Sequence, residues 1–350
     1  MRARNAFFLV LLAAVVLGLF YAWSYFTGAV MVERQRVYMD TIVQIKVPAT
    51  GATVKVTEEA ISRAFREIER IEGVFSSFKY DSQISAINGL KAGELLVLPD
   101  EVFRLINKSV EYSAKTGGAF DITVKPLVEV WDYTLSAGTV PSKERLEAVL
   151  TSVGSQRLLL DPARRTISFP TDGMGVDLGG VAKGYATDRA IDVLRKNGIQ
   201  NAIVNCGGDM YCLGRKSKGE LWRVGIQNPR RKDRVVMELS IQDKAIVTSG
   251  DYERYTMLAD MRYSHVIDPR TGWPIGDTVM SATVIADDAT TADMLTTALC
   301  VLGSEGFNII GSLKGTDAIL VLKDGEGFKV EMTKGLGKRY DIAAEEKFAR

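Results

Sequence analysis

Residues 280–302, MSATVIADDATTADMLTTALCVL, narrow the folding options of this chain more than any other stretch. A run of β-formers, Ala282–Ala286, meets a Thr/Asp cluster and passes into a helical pattern carrying Asp293 and Thr297. The four-residue spacing sets a carboxylate and a hydroxyl on one helical face, one turn apart. Both are hard oxygen donors of the kind that hold Mg²⁺ or Ca²⁺ beside a phosphate. On its own D-x-x-x-T is a common pattern, so its meaning depends on what else brings phosphate to it.

The rest of the chain divides into strand runs and helix runs. Thr41–Val47 alternates as a strand, and Thr57–Gly73 reads as a helix with Thr57 as candidate N-cap and apolar residues at Ala60, Ile61, Ala64, Ile68 and Ile71. A second amphipathic helix covers Pro99–Lys115, and a hairpin turns at Asp161-Pro162-Ala163. A third helix covers Val181–Asn197 and is closed by Gly198. A strand at Asn201–Asn205 and five more between Trp222 and Ile267 follow, with few helical signals among them. After the Asp293 helix come a closing helix near Glu305–Leu313 and strands at Ala318–Leu322 and Phe328–Met332. Segregated strands and helices predict an α+β fold with mostly antiparallel sheets, not a doubly wound parallel sheet. Two lobes meeting near residues 170–210 fit this order. The expected organisation is an N-terminal segment (1–36), a catalytic domain (37–340) and a short tail (341–350).

The N-terminal segment stands apart from that body. Arg2 and Arg4 precede a run free of charge from Ala6 to about Val32. About 20 apolar residues suffice to cross a bilayer, and the leading arginines favour an N-terminus-inside orientation. A cleaved signal peptide is the alternative, but the bulky Phe20–Phe26 stretch favours a retained anchor in the inner (cytoplasmic) membrane, with the body on the periplasmic side. Beyond residue 36 there are 40 basic and 42 acidic residues, so nothing in the charge balance suggests a nucleic-acid partner. Cys206, Cys212 and Cys300 are too few and too scattered for a disulfide framework, and the absence of nearby histidine argues against zinc. They read as small buried hydrophobes.

Glycine clusters supply the phosphate side of the argument. Gly173–Gly184, GMGVDLGGVAKG, opens the third helix, where backbone N–H groups and close approach without Cβ suit an anion. Lys183 adds a cation and Asp177 a carboxylate. Neither standard phosphate fingerprint is present, and a plain tight turn explains the segment equally well. TGGAFD (116–121) and NCGGD (205–209) each set an acid directly after a flexible turn. His265, the sole histidine, lies at a strand end before the Asp268-Pro269-Arg270-Thr271-Gly272 turn and is the side chain whose ordinary pKa suits proton transfer near neutrality.

Taken together and in order, FSSFKYDSQISAIN (75–88), TGGAFDITVKPLVEVW (116–131), VDLGGVAKGYATDRA (176–190), NAIVNCGGDM (201–210), VTSGDYERY (247–255), SHVIDPRTGWPI (264–275) and SATVIADDATTADMLTTAL (281–299) resemble the FAD:protein FMN transferase family, the ApbE-type proteins. The resemblance covers residues 37–332 and implies a T-fold-like, two-lobed α+β domain. It implies an Mg²⁺-dependent enzyme that splits FAD and transfers FMN to a Thr or Ser hydroxyl of an exported or membrane flavoprotein, releasing AMP. Acceptors in the family include subunits of Na⁺-pumping NADH:quinone reductase and Rnf-type complexes. Position by position, the resemblance makes Asp293, Thr297 and the main-chain carbonyl of Ala182 the metal ligands. It makes Met39, Phe78, Ala119, Phe120, Asp121, Asp177, Lys183, His265 and Ile267 the FAD contacts. Asp40 stands where Gly is more usual, and Phe78 where Tyr is frequent. His265 is the expected base for the acceptor hydroxyl, with Asp177 as competitor. FAD pyrophosphatase activity needs the same site, and a non-catalytic flavin-binding or assembly protein is the remaining alternative.

Overall fold

The computed structural model describes residues 15–20, 28–216, 219–252, 255–258 and 261–344. Its centre is an eight-stranded sheet whose strands lie side by side in the order in which they occur along the chain. They are β1 (Ala29–Tyr38), β2 (Thr41–Thr50), β3 (Ala202–Cys206), β4 (Asp209–Leu213), β5 (Lys244–Gly250), β6 (Val279–Ala286), β7 (Asp317–Asp324) and β8 (Gly327–Met332). Every neighbouring pair is antiparallel. The α+β expectation holds.

Four helices matter for the site: α1 (Val54–Phe75), α2 (Asp100–Lys115), α3 (Ala182–Lys196) and α4 (Ala289–Leu302). The apolar stripe of α1 (Ala60, Ile61, Ala64, Phe65, Ile68, Ile71) is buried, as its 3.6-residue period requires. The helix begins three residues before the expected cap. Thr57 is buried in the first turn and its N–H donates to the Thr53 carbonyl at 2.9 Å. β6 is buried at every position and α4 on nearly every face. A strand and helix of that kind belong to the middle of a layered core.

Alternation along the strands sorts the layers. Val204, Ala245, Val247, Val284 and Leu320 share a core with the helices. Ile203, Ile246, Ile285 and Ile319 point the other way, onto Trp222, Val224 and Leu239 of a small sheet. That sheet pairs strands Trp222–Asn228, Arg231–Ile241 and Asp341–Ala344. The fold is thus helices, large sheet and small sheet in three layers.

The large sheet takes strands from both sides of residues 170–210, and α3 within that span packs on α1 and α4. β1 starts at Ala29, and all ten of its residues pair with β2, so the body reaches back into the apolar run. At the other end, Asp341–Ala344 is a paired strand rather than tail. The anchor expectation rests largely on residues 1–14 and 21–27, outside the described residues. Among the described residues, Ala289–Ser312 is the one helical stretch long and apolar enough to span a membrane, and its burial marks it as core. Cys206, Cys212 and Cys300 are buried and in no disulfide, in keeping with their reading as small buried residues.

Candidate active site

Three glycine turns and one helix converge. In the first turn, Gly117 and Gly118 have φ of 60° and 80°, the left-handed region that glycine enters without a Cβ penalty. Asp121 follows, buried, and its carboxylate accepts from Ser113 Oγ at 3.0 Å, Thr123 N at 2.7 Å and Ser155 N at 2.8 Å. Its acceptor capacity is spent on fixing the turn. The Asp121 side chain therefore holds the turn that carries Ala119 and Phe120.

The second turn is tied to the first by a hydrogen bond from Asp177 N to the Ile122 carbonyl at 2.7 Å. The Asp177 carboxylate accepts from Gly179 N at 2.7 Å and from Ser77 Oγ at 3.4 Å. Two glycines then let this segment lie flush on α4. A Cβ on Gly180 would stand 2.9 Å from Thr297 Oγ1, and one on Gly184 would stand 2.3 Å from the Ala289 carbonyl oxygen and 2.8 Å from Asp293 Cβ. With no Cβ in the way, Gly184 N donates to Asp293 Oδ2 at 3.0 Å.

The third turn brings Asp209 to the same place. Lys183 Nζ contacts both Asp209 oxygens at 2.9 Å and lies 3.8 Å from Asp293 Oδ1. Asp209 and Asp293 are 0% and 1% exposed. Burial, with Asp293 beside it, pushes the Asp209 carboxyl well above the ordinary carboxylate range. Two buried carboxylates share one lysine, and Thr297 Oγ1 and the start of α3 at Ala182 stand close by. An oxygen-only donor set of carboxylate, hydroxyl and main-chain carbonyl fits Mg²⁺. No group of three His, Cys, Asp or Glu side chains suited to a metal occurs among the described residues. Any cation here must also use the hydroxyl and main-chain oxygens.

Glu72 ties Met39 to Lys79, the neighbour of Phe78 in the chain. The Glu72 carboxylate accepts from Met39 N at 2.7 Å and from Lys79 Nζ at 2.9 Å. Burial raises this carboxyl, but the Lys79 and Met39 hydrogen bonds outweigh it and leave the group below its ordinary range. Met39 and Asp40 have φ of 50° and 54°, a left-handed turn that Asp tolerates better than most residues. Gly207 N donates to the Ile42 carbonyl at 3.2 Å, joining this corner to the third turn. The Phe78 side chain is 89% exposed, an apolar face open to whatever enters.

His265 is exposed and follows strand Met261–Ser264. Ile267 anchors the segment in a cluster with Leu127, Trp131 and Leu146. Trp131 Nε1 donates to the Gly272 carbonyl at 2.8 Å. The Arg270 side chain lies against Gly118, so the histidine segment and the first glycine turn are neighbours.

Sequence reasoning passed over two carboxylates. Asp209 carried a visible signal, an acid directly after Gly207-Gly208 at a strand end. Asp188 carried none, being one polar residue on a helix. It reaches from α3 to cap α4, accepting from Ala289 N and Thr290 N at 2.8 Å each, while Asp288 caps Thr291 N at 2.8 Å.

The ApbE family model matches residues 39–320. The chain is 33% identical over 267 residues to the FAD:protein FMN transferase of Vibrio cholerae, covering 75% of this chain and 79% of that one. It is 32% identical over 300 residues to that of Escherichia coli K12, covering 84% and 85%. The ApbE protein of Thermotoga maritima superposes with a TM-score of 0.79 at 33% identity, over 88% of this chain and 99% of that one. The flavin transferase ApbE of Vibrio cholerae gives 0.77 at 30% identity, over 89% and 99%.

Proposed function

The chain belongs to the ApbE family and is an FAD:protein FMN transferase, and on that premise we propose that it is Mg²⁺-dependent, modifies a Thr or Ser hydroxyl of an exported or membrane flavoprotein, and releases AMP. The observation that carries this reading is the convergence of three glycine turns on Lys183, Asp209 and Asp293, with Thr297 against Gly180. Phosphoryl chemistry asks mainly for positioning and for charge stabilisation at the pyrophosphate, which such a cluster can supply.

In this reading Asp293, Thr297 and the Ala182 carbonyl hold the ion. When bound, Mg²⁺ offsets the charge that develops on the pyrophosphate oxygens. Phe78 and Met39 receive the flavin, and the backbone at Ala119 and Phe120, with Asp177, Lys183 and Ile267, orients the nucleotide. The acceptor hydroxyl attacks the phosphorus that carries the riboflavin moiety. A new O–P bond forms, the bond to the bridging oxygen breaks, and AMP leaves with that oxygen. His265 takes the hydroxyl proton, and Asp177 is the nearest competitor for that role. Residues 29–344 act as one catalytic unit. The apolar N-terminal segment holds it on the outer side of the cytoplasmic membrane, within reach of acceptors such as subunits of Na⁺-pumping NADH:quinone reductase or Rnf-type complexes.

The test incubates the full chain with FAD, Mg²⁺ and an acceptor domain. Covalent flavin is read by in-gel fluorescence and AMP by chromatography. Equal amounts of AMP and acceptor-bound flavin are expected, both abolished by EDTA and by Asp293→Ala. AMP and FMN both free, with an unlabelled acceptor, would replace transfer by FAD hydrolysis. Labelling that persists in Asp293→Ala would remove the metal from the reading.

A further inference from the structure

On the face of the large sheet away from α4 there is a second concave site that the flavin chemistry does not use. It is an open cavity of about 740 Å³ between the turn that joins strands Trp222–Asn228 and Arg231–Ile241 and the β7–β8 turn. Its floor is apolar. Met280 and Val321 pack with Val236 and Phe328, and Val321 shares its face of β7 with Ile319, which packs on the small sheet. Its rim is cationic: Arg230, Arg231, Arg234 and Lys323 line it against a single carboxylate, Glu326.

The ion pairing of these four cations separates structural charge from surplus charge. Arg230 is bidentate to buried Asp251, at 3.1 and 3.0 Å, and Lys323 pairs with Asp277. Arg70, Arg262, Arg270 and Arg339 elsewhere each have a carboxylate partner too. Arg231 and Arg234 have none among the described residues. The turn that leads into Arg231 is fixed, since Asn228 Oδ1 accepts from Arg230 N at 2.9 Å and Arg231 N at 3.0 Å, and Arg234 follows within the strand. Two guanidiniums without a carboxylate partner among the described residues, one at the start of strand Arg231–Ile241 and one three residues into it, beside an apolar floor, match a phosphate group joined to an apolar body.

We propose that this cavity is a second ligand site, for a phosphate monoester or diester carrying an apolar or aromatic group, distinct from the flavin-transfer site. The same chemistry is offered by a free nucleotide and by an anionic lipid headgroup. Arg231 and Arg234 hold the phosphate, while Phe328, half-buried beside the covered Met280, receives the apolar part.

The test uses the full chain in neutral detergent with 1-naphthyl phosphate as fluorescent probe and 1-naphthol as its uncharged counterpart. Saturable binding of the phosphate is expected, with at least about tenfold weaker binding of the naphthol and a similar loss in an Arg231→Gln/Arg234→Gln double variant. The double variant should melt like the wild type and transfer flavin at the same rate. Asp293→Ala, which stops transfer, should leave probe affinity unchanged. Repeating the comparison with AMP and with monomeric dihexanoyl phosphatidic acid identifies the source, because the natural class is the one whose affinity falls in the double variant. Probe binding that is absent, indifferent to the double variant, or lost in Asp293→Ala overturns the proposal, and none of these results touches the transferase reading.

Discussion

Gly184→Ala tests how the site is assembled, because one added methyl falls where two helices cross. An ideal Cβ there stands 2.3 Å from the Ala289 carbonyl oxygen, 2.7 Å from its carbon and 2.8 Å from Asp293 Cβ. Two of those three atoms are backbone at the N-terminus of α4, so the contact is relieved only by moving α3 and α4 apart by roughly 1 Å. Overpacking of this kind costs about 1–3 kcal/mol. Stretching the 3.0 Å bond from Gly184 N to the Asp293 carboxylate adds about 1.5–3 kcal/mol. The better helix propensity of alanine returns about 1 kcal/mol. The balance is a loss of about 3 kcal/mol, or a fall in Tm of roughly 5–10 °C for a domain of this size. Activity should fall further than stability, since a displacement of about 1 Å at a reacting centre can cost 100-fold. Gly73→Ala is the matched control. It lies within α1, its Cβ would meet nothing within 4 Å, and it should be neutral or stabilising by up to about 1 kcal/mol. Thermal melts and flavin-transfer rates of the two variants decide the matter. If Gly184→Ala melts like Gly73→Ala and keeps full activity, the close crossing of α3 and α4 is not what positions Asp293.

Three further outcomes follow from single groups. Burial pushes the Asp188 carboxyl up to about 6 from 3.8, against hydrogen bonds from Thr290 and Ala289. The folded state therefore holds this proton more tightly than the unfolded chain. The associated stability is complete below about pH 4 and is lost as pH rises through 6, a span worth about 3 kcal/mol. Denaturant midpoints of the wild type minus those of Asp188→Asn should decline across that window, and parallel curves would refute it. His265→Ala should lower the transfer rate by about 10²- to 10⁴-fold, with a much smaller loss of FAD affinity measured by quenching. A rate loss matched by an equal loss of FAD affinity would make His265 a binding residue. Phe78→Ala should weaken FAD binding, and Phe78→Tyr should retain it, because a ring face is what the exposed side chain offers. Equal affinity in all three proteins would remove Phe78 from the flavin site.

What the sequence disclosed and what it withheld divide along one physical line. Short-range periodicity marked β6, α4, α1 and α3, because each buries a stripe or face set by its own residues. The glycine turns were visible for the same reason, since positive φ at Gly117, Gly118, Gly207 and Gly208 is a local demand. Partners chosen across the fold left no local trace. Asp188 looks like any polar residue on a helix until α4 is seen to begin on its carboxylate. The pairing of β2 with β3 is of the same kind, because the two strands lie roughly 150 residues apart and nothing in either announces the other. Asp209 sits between the two cases: its turn was legible, but its pairing with Lys183 and its closeness to Asp293 arise only when β4 and α3 meet α4. The helical pair Asp293 and Thr297, weak as a pattern, therefore owes its setting to the close-packing glycines of a segment more than 100 residues earlier. Gly180 and Gly184 remove the Cβ atoms that would hold that segment off, and the lysine between them brings a cation to two buried carboxylates. A glycine one position off in either place would leave the same side chains in the sequence and no site in the fold.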